Sequence, residues 1–149
     1  MDKEKIYKDL IPQIKSLIQD ESDLTANLGN IAAVIHYPFK HHWTGFYLVK
    51  NNELILGPFQ GPVACTRIGF GKGVCGMAWK QKKALVVADV NLFEGHIACS
   101  PYSKSEIVIP LISGNEVWGV LDIDSSEFDT FDLTDQKYLT QICEMIHNS

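Results

Sequence analysis

Three of the four cysteines of this 149-residue chain lie in its middle part, and their spacing limits the chemistry they can perform. Cys65, Cys75 and Cys99 are separated by 10 residues (75 − 65) and by 24 residues (99 − 75). No pair forms the Cys-x-x-Cys spacing of zinc sites or of thioredoxin-type redox motifs. A zinc site built from these three cysteines and His96 therefore has no support from spacing. The pattern favours thiol redox chemistry.

Acidic residues provide the second chemical feature. Strand alternation over residues 116–124 places Asp122 and Asp124 on one face, together with Trp118 and Val120. Glu106 begins the preceding predicted strand, so a hairpin would bring three carboxyl groups together. Two interpretations stay open: exposed acids at strand ends, or a half-buried pocket. In a pocket the carboxylates would raise each other's pKa, and one could stay protonated and donate a proton.

Two aromatic residues share a face of an earlier predicted strand. Trp43 and Tyr47 lie four positions apart in a segment that alternates with period two. Packing in the core is one interpretation. The other is an aromatic wall against an apolar or sulfur-bearing ligand, since sulfur–aromatic contacts are favourable by roughly 0.3–1.5 kcal/mol.

The four cysteines differ in their predicted surroundings. Cys75 falls in the first turn of a predicted helix, three residues after Lys72, and both features lower the pKa of a thiol. Local chemistry alone therefore nominates Cys75 as the reactive thiol. Cys99 lies in a predicted loop and is accessible there, Cys65 lies in or near a strand, and Cys143 falls on the apolar face of the last helix.

The periodicity of apolar residues predicts an α+β fold. The predicted helices cover about 3–19 with a kink at Pro12, a segment from Ser22 or Asp23 to Tyr37-Pro38, about 74–82, and a last helix from Asp132 or Thr134. The predicted strands are 42–49, 53–56, 63–68, 84–89, 106–112 and 116–124, with a long loop at 90–105. Tight hairpins predict a central, mainly antiparallel sheet of about six strands with helices packed on one side. The length fits one domain, 1–149.

Composition argues against several classes of partner. The net charge of −5 has no basic face to offset it, so neither nucleic acid nor an anionic membrane is expected as a partner. No stretch reaches the roughly 20 apolar residues that span a bilayer. The charged N-terminus lacks the apolar run of a signal peptide. We therefore expect a cytoplasmic protein, whose thiols are kept reduced.

Five segments together resemble the free methionine-(R)-sulfoxide reductase family, which is built on a single GAF domain. The resemblance covers nearly the whole chain, and its three-cysteine spacing with His-Ile-Ala-Cys is specific. The matching segments are Val63–Ile68, Gly71–Gly76, Asp89–Cys99, Ser105–Pro110 and Gly119–Ser125.

The resemblance implies a role for each candidate cysteine. Cys99 matches the nucleophile that attacks the sulfoxide sulfur. Cys65 matches the resolving cysteine, and Cys75 matches a third cysteine that can exchange with the others. This overrules the nomination of Cys75 from local chemistry.

The remaining candidates match the substrate site of the family. Trp43 and Tyr47 match its aromatic wall. Glu106, Asp122 and Asp124 match the acids that hold the amine and the sulfoxide of the substrate.

The implied reaction reduces free L-methionine-(R)-sulfoxide to methionine through a cysteine sulfenic acid and then an intramolecular disulfide. A thioredoxin-type dithiol would regenerate the enzyme, and neither a metal nor an organic cofactor is required. A small-molecule GAF sensor and a thiol redox switch without catalysis are the alternatives. The sequence leaves open whether the chain forms a homodimer.

Overall fold

A six-stranded sheet forms the centre of the computed structural model, which describes residues 1–148. The strands are β1 (Trp43–Lys50), β2 (Glu53–Gln60), β3 (Arg67–Gly69), β4 (Leu85–Val87), β5 (Ser105–Ser113) and β6 (Glu116–Ser125). Their spatial order is β3-β2-β1-β6-β5-β4, and every neighbouring pair is antiparallel. The two hairpins β1–β2 and β5–β6 thus meet along β1 and β6 at the middle of the sheet.

Four helices pack on this sheet: α1 (Lys3–Ile18), α2 (Leu24–Phe39), α3 (Gly73–Gln81) and α4 (Leu133–Glu144). Aspartate side chains cap three of them, because a carboxylate accepts the unpaired backbone N–H groups of a first turn. Asp2 and Asp23 cap α1 and α2, and Asp132 forms a capping box with Asp135 at the start of α4.

Alternation along the strands gives the sheet two different faces. Phe46 of β1 and Leu121 and Ile123 of β6 point to one face, where they are buried together with apolar residues of α1, α2 and α4. This is the main core. The residues between them, such as Tyr47 and Asp122, point to the opposite face, where the candidate functional residues are found.

The short helix α3 covers the second face. Val74, Cys75 and Ala78 of α3 are buried there against Val108 and Val120. The helix approaches the preceding turn closely at Gly76, where an added Cβ would lie 2.5 Å from the backbone oxygen of Gly69. Only glycine leaves room for this contact, which fixes Cys75 against the sheet.

The predicted fold class is confirmed, and so is the mainly antiparallel sheet of six strands. Three helices lie on one side of the sheet as expected, whereas α3 lies on the other side. Of the predicted strand 63–68, only Arg67 and Ile68 lie in β3, because Pro62 and the residues after it form a loop.

Neither helical proline ends its helix. Pro12 is exposed within α1, so the carbonyl it leaves without a donor can be hydrated. Pro38 lies one residue before the end of α2, which closes at Lys40 in a left-handed conformation.

The predicted position of Trp118 is wrong. The register of β5 and β6 shifts between Leu111 and Ile112, which pair with Gly119 and Val117, so Trp118 is left without a partner. Its side chain packs against the main core rather than beside Asp122. A β-bulge of this kind interrupts the alternation on which the prediction rested.

Within residues 1–148, none of the helices combines the length and the apolar character needed to cross a membrane.

Candidate functional site

A pocket opens on the second face of the sheet, between β1, β5 and β6 on one side and α3 with the loop around residues 96–103 on the other. Its cavity volume is about 40 Å³. Seven of the eight candidate residues line it: Trp43, Tyr47, Cys75, Cys99, Glu106, Asp122 and Asp124. The eighth, Cys65, is bonded to Cys99 at the edge of the pocket. The fold therefore brings together residues that are up to 81 positions apart (124 − 43).

Three carboxyl groups meet at the base of the pocket because β5 and β6 are in register there. Glu106 pairs directly with Asp124, and Asp122 lies two positions before Asp124 in β6, on the same face. Glu106 and Asp122 are only 6% and 5% exposed, and Asp124 is half-buried. The acids are therefore not exposed strand ends, and the interpretation as a pocket is the one that the structure supports.

The acidic cluster lacks a compensating cation among residues 1–148, where ion pairs involve other acids. Asp122 Oδ1 is buried and no protein group donates a hydrogen bond to it, an arrangement that costs free energy unless a donor completes it. The Ser103 hydroxyl donates to Asp124 Oδ1 at 3.2 Å. A cationic or hydrogen-bond-donating ligand would complete this site.

Burial and mutual repulsion raise the pKa values of the cluster. Burial is the largest cause for Glu106, followed by the charges of Asp122 and Asp124, and its pKa is held well above the usual range. Burial and then the charge of Asp122 raise the pKa of Asp124 in the same way. The pKa of Asp122 is also raised by burial, but hydrogen bonds from Glu106 and Cys75 oppose the change. At neutral pH, Asp122 is thus the group best able to carry the negative charge, and Glu106 or Asp124 can hold a proton.

The nomination of Cys75 as the reactive thiol, based on local chemistry, is wrong for this environment. Cys75 does lie in the first turn of α3, but it is only 4% exposed. Its Sγ lies 3.9 Å from Glu106 Oε2, and burial together with the charges of Asp122 and Glu106 raises the pKa of the thiol. A buried thiol beside carboxylates is a weak nucleophile. The carboxylates come from distant strands, so the local sequence could not reveal them.

Cys65 and Cys99 form a disulfide that joins two loops across the pocket entrance, with their Cα atoms 5.3 Å apart. Both residues are half-buried, so the bond is accessible from solvent. Cys143, in contrast, is buried in the main core through α4, as its position on the apolar face predicted.

The aromatic wall also positions the loop that carries Cys65. The rings of Trp43 and Tyr47 stack with centroids 5.8 Å apart. The Tyr47 hydroxyl donates to the backbone oxygen of Cys65 at 2.8 Å, and Trp43 Nε1 donates to that of Pro62 at 3.1 Å. The two interpretations of Trp43 and Tyr47 therefore do not exclude each other, because the two rings pack in the core and also form a wall of the pocket.

Sequence reasoning missed three residues that hold the loop of Cys99. The imidazole Nε2 of His42 lies 3.0 Å from the hydroxyl of Ser100, next to Cys99, and the Ser103 hydroxyl reaches Asp124. His42 also lines the pocket. No sequence signal links His42 to Ser100 across 58 positions.

A zinc site from Cys65, Cys75, Cys99 and His96, which spacing did not support, is not assembled either, because Cys65 and Cys99 are bonded to each other. A different set is close enough to share an ion: one ligand atom each from Cys75, Glu106 and Asp122, all within 4.8 Å of one another.

Comparison with known proteins adds an independent line of information. The GAF domain family matches residues 21–147. "GAF domain-containing protein A" of Dictyostelium discoideum is 54% identical over 147 residues, covering 98% of this chain and 93% of that protein. "Free methionine-R-sulfoxide reductase" of Escherichia coli (strain K12) is 43% identical over 143 residues, covering 95% and 87%.

Solved structures agree closely with this fold. Free methionine-R-sulfoxide reductase from Neisseria meningitidis, in complex with its substrate, superimposes with a TM-score of 0.96 at 50% identity, covering 98% of this chain and 89% of that one. The reduced form of the Staphylococcus aureus fRMsr gives a TM-score of 0.89 at 48% identity, covering 94% and 92%.

Proposed function

The chain belongs to the free methionine-R-sulfoxide reductase family, whose members are oxidoreductases built on a GAF domain, and we propose that it reduces free L-methionine-(R)-sulfoxide through a disulfide cycle. The observation that carries this proposal is the juxtaposition of an accessible Cys65–Cys99 disulfide with a buried acidic cluster in one pocket. The disulfide supplies the redox chemistry, and the acids supply recognition of a cationic group.

The acids suit the free amino acid better than a residue within a peptide. The α-ammonium group of free methionine sulfoxide can donate to Asp122 Oδ1, the buried acceptor to which no protein group donates. Hydrogen bonds of this charge-assisted kind contribute roughly 1.5–3 kcal/mol each. An amide nitrogen within a peptide brings no charge, so it cannot compensate the cluster.

The aromatic wall would hold the sulfur end of the substrate. Trp43 and Tyr47 offer ring surfaces on the side of the pocket opposite α3, and sulfur–aromatic contacts are favourable. The oxygen of the sulfoxide then requires a hydrogen-bond or proton donor, because the sulfur is a poor electrophile without one. Glu106 and Asp124, whose pKa values are raised, are the candidate donors.

In the reduced protein, the Cys99 thiolate attacks the sulfoxide sulfur. The sulfoxide oxygen and the proton it receives end on the sulfur of Cys99 as a sulfenic acid, and methionine leaves. The Cys65 thiol condenses with the sulfenic acid, a water molecule is released, and the disulfide forms. A thioredoxin-type dithiol reduces it by exchange and is itself oxidised. Cys75 is a third thiol that could exchange with this pair.

The test is consumption of a dithiol reductant coupled to formation of free methionine. We expect turnover with wild type and with Cys143→Ser, whose thiol lies in the main core, and loss of turnover with Cys99→Ser. A GAF sensor or a redox switch without catalysis would form no methionine. Wild-type turnover by Cys99→Ser would contradict the assignment of the nucleophile.

Substrate form gives a second test, in which kcat/KM is compared for free and N-acetylated methionine-(R)-sulfoxide with one reductant. Sites built for a polar group reject analogues lacking it by about 10⁴ or more in favourable cases. We expect a large preference for the free amino acid. Values within a factor of a few would show that the acids do not recognise the amine.

A further inference from the structure

The catalytic cycle proposed above assigns no essential step to Cys75, although its thiol lies at the base of the pocket. An ammonium group needs only oxygen acceptors, and the acidic cluster provides these. The sulfur is an additional soft ligand beside hard ones. Cys75, Glu106 and Asp122 each bring one ligand atom, all within 4.8 Å of one another, and each residue is at most 6% exposed.

Two distances show how little rearrangement an ion would require. Zinc binds thiolate sulfur at about 2.3 Å and carboxylate oxygen at about 2.0–2.2 Å, so a tetrahedral ion holds the two roughly 3.6 Å apart. Cys75 Sγ and Glu106 Oε2 already lie 3.9 Å apart. The third ligand, Asp122, has the buried Oδ1 atom without any hydrogen-bond partner.

From this arrangement we propose that the reduced protein binds a thiophilic divalent cation, Zn²⁺ or Cd²⁺, through Cys75, Glu106 and Asp122 at the base of its pocket. Binding displaces the thiol proton, and the dication replaces the missing counter-charge of the carboxylates. Water occupies the open coordination position. Because the same acids would receive the α-ammonium group, the ion and free methionine sulfoxide exclude each other, a consequence that rests on the function proposed above.

The binding test uses Cys65→Ser/Cys99→Ser, which leaves Cys75 and Cys143 as the only thiols. The relative solved in its reduced form indicates that this fold does not need a disulfide. Titration with Cd²⁺ should produce the ultraviolet charge-transfer absorption of a cadmium–thiolate bond, and this band should reach its maximum at one equivalent of Cd²⁺ per protein. The band should persist with Cys143→Ser added and vanish with Cys75→Ser added. Persistence of the band without Cys75 would overturn the proposal.

The carboxylate ligand is tested in the same background. Asp122→Asn should weaken Cd²⁺ binding at least 10-fold, since even groups outside the first ligand shell contribute 10- to 100-fold to metal affinity. Asp129→Asn is the matched control, because Asp129 is exposed on the loop after β6. Equal affinities of the two variants would overturn the assignment of Asp122 as a ligand.

Competition separates this inference from the proposed function. Free methionine-(R)-sulfoxide should lower the apparent Cd²⁺ affinity, and Zn²⁺ should inhibit wild type, reduced by a phosphine, competitively with the sulfoxide. Absence of the cadmium band would end the metal proposal and leave the reductase activity untouched. A cadmium band that the sulfoxide does not affect would contradict the proposal that the ion and the sulfoxide share one pocket.

If the double variant does not fold, reduced wild type and Cys75→Ser are compared instead. Each protein competes for zinc with a chromophoric chelator, and equal zinc uptake by the two would overturn the proposal.

Discussion

At the scale of single residues, the acidic cluster lowers the stability of the folded protein and provides a binding site for a cationic group. Glu106 and Asp122 are buried without a cation, and Asp122 Oδ1 lacks even a hydrogen bond. An unsatisfied buried polar group costs about 1–3 kcal/mol. A ligand that carries a positive charge and donates to this oxygen would remove the cost on binding, whereas a neutral ligand would leave the carboxylates uncompensated. The cluster therefore favours the cationic ligand.

The substitution Asp122→Asn should reduce this selectivity. Loss of one charge-assisted hydrogen bond, about 1.5–3 kcal/mol, corresponds to a fall of about 10- to 150-fold in kcat/KM for free methionine-(R)-sulfoxide. The N-acetylated substrate lacks the ammonium group, so its kcat/KM should change by less than 3-fold. Steady-state kinetics of wild type and variant with both substrates give the coupling energy between the Asp122 side chain and the substrate amine, and Asp129→Asn is the control. An equal fall for both would mean that Asp122 acts on the sulfoxide instead.

Glu106→Gln tests the pH dependence of stability that the cluster predicts. Because the pKa of Glu106 in the folded protein lies well above its usual value of 4.5, the folded state binds a proton more tightly than the unfolded state. The stabilising contribution of that proton is complete below pH 4.5 and is lost as the pH rises through the raised pKa. Wild type should therefore lose stability relative to Glu106→Gln with rising pH.

Urea denaturation of both proteins from pH 4.5 to pH 8 measures this difference. Glu106→Gln should be near wild type at the acidic end and the more stable protein at pH 8. Glu127→Gln, on an exposed loop, should follow wild type throughout. A difference that does not vary with pH would contradict a raised pKa at Glu106.

At the scale of elements, the two loops that carry the disulfide are held by different side-chain contacts. The loop of Cys65 is hydrogen-bonded to Tyr47 of β1. The loop of Cys99 is held by the contact of Ser100 with His42 and by the hydrogen bond from Ser103 to Asp124 of β6. The nucleophile and the resolving thiol of the proposed cycle can therefore be perturbed separately.

Tyr47→Phe should slow the resolving step more than the first chemical step. The change removes the 2.8 Å hydrogen bond to the backbone oxygen of Cys65 and keeps the ring that faces the pocket. In a single turnover of the reduced protein, methionine should form at close to the wild-type rate and the disulfide should form several-fold more slowly. Quenched-flow mass spectrometry reads both products, and Tyr37→Phe, on an exposed part of α2, is the control. A slower release of methionine alone would place Tyr47 in the attack step instead.

At the scale of the whole molecule, the disulfide and access to the pocket are linked. The bond between Cys65 and Cys99 ties two loops together across the pocket entrance, so a ligand must pass between the joined loops to reach the base of the pocket. Reduction releases the two loops from each other, so the loop around Cys99 can move away from the base of the pocket.

The oxidised protein should therefore bind free methionine-(R)-sulfoxide at least 10-fold more weakly than a form that cannot close. The two affinities are measured by calorimetric titration of the ligand into oxidised wild type and, separately, into Cys65→Ser, which retains the nucleophile. The product methionine can replace the sulfoxide as ligand to avoid turnover. Equal affinities would show that the disulfide does not close the pocket.

Local sequence patterns determined much of this architecture. Period-two alternation correctly predicted that Trp43 and Tyr47 share a face and that Asp122 and Asp124 share a face, because side chains along a paired strand alternate whatever lies around them. The two-residue turn Gly114-Asn115 joins β5 and β6 into the hairpin that brings Glu106 beside Asp124. The apolar face of α4 likewise placed Cys143 in the core.

Only the tertiary structure decided how reactive each thiol is and how the pocket closes. Helix position alone favoured Cys75, but the carboxylates that raise its pKa come from β5 and β6, some 31 and 47 positions away (106 − 75 and 122 − 75). The bulge that turns Trp118 to the other face and the contact of His42 with Ser100 also depend on partners far along the chain. Burial and electrostatic interaction act through space, so a window of sequence around one residue cannot contain them.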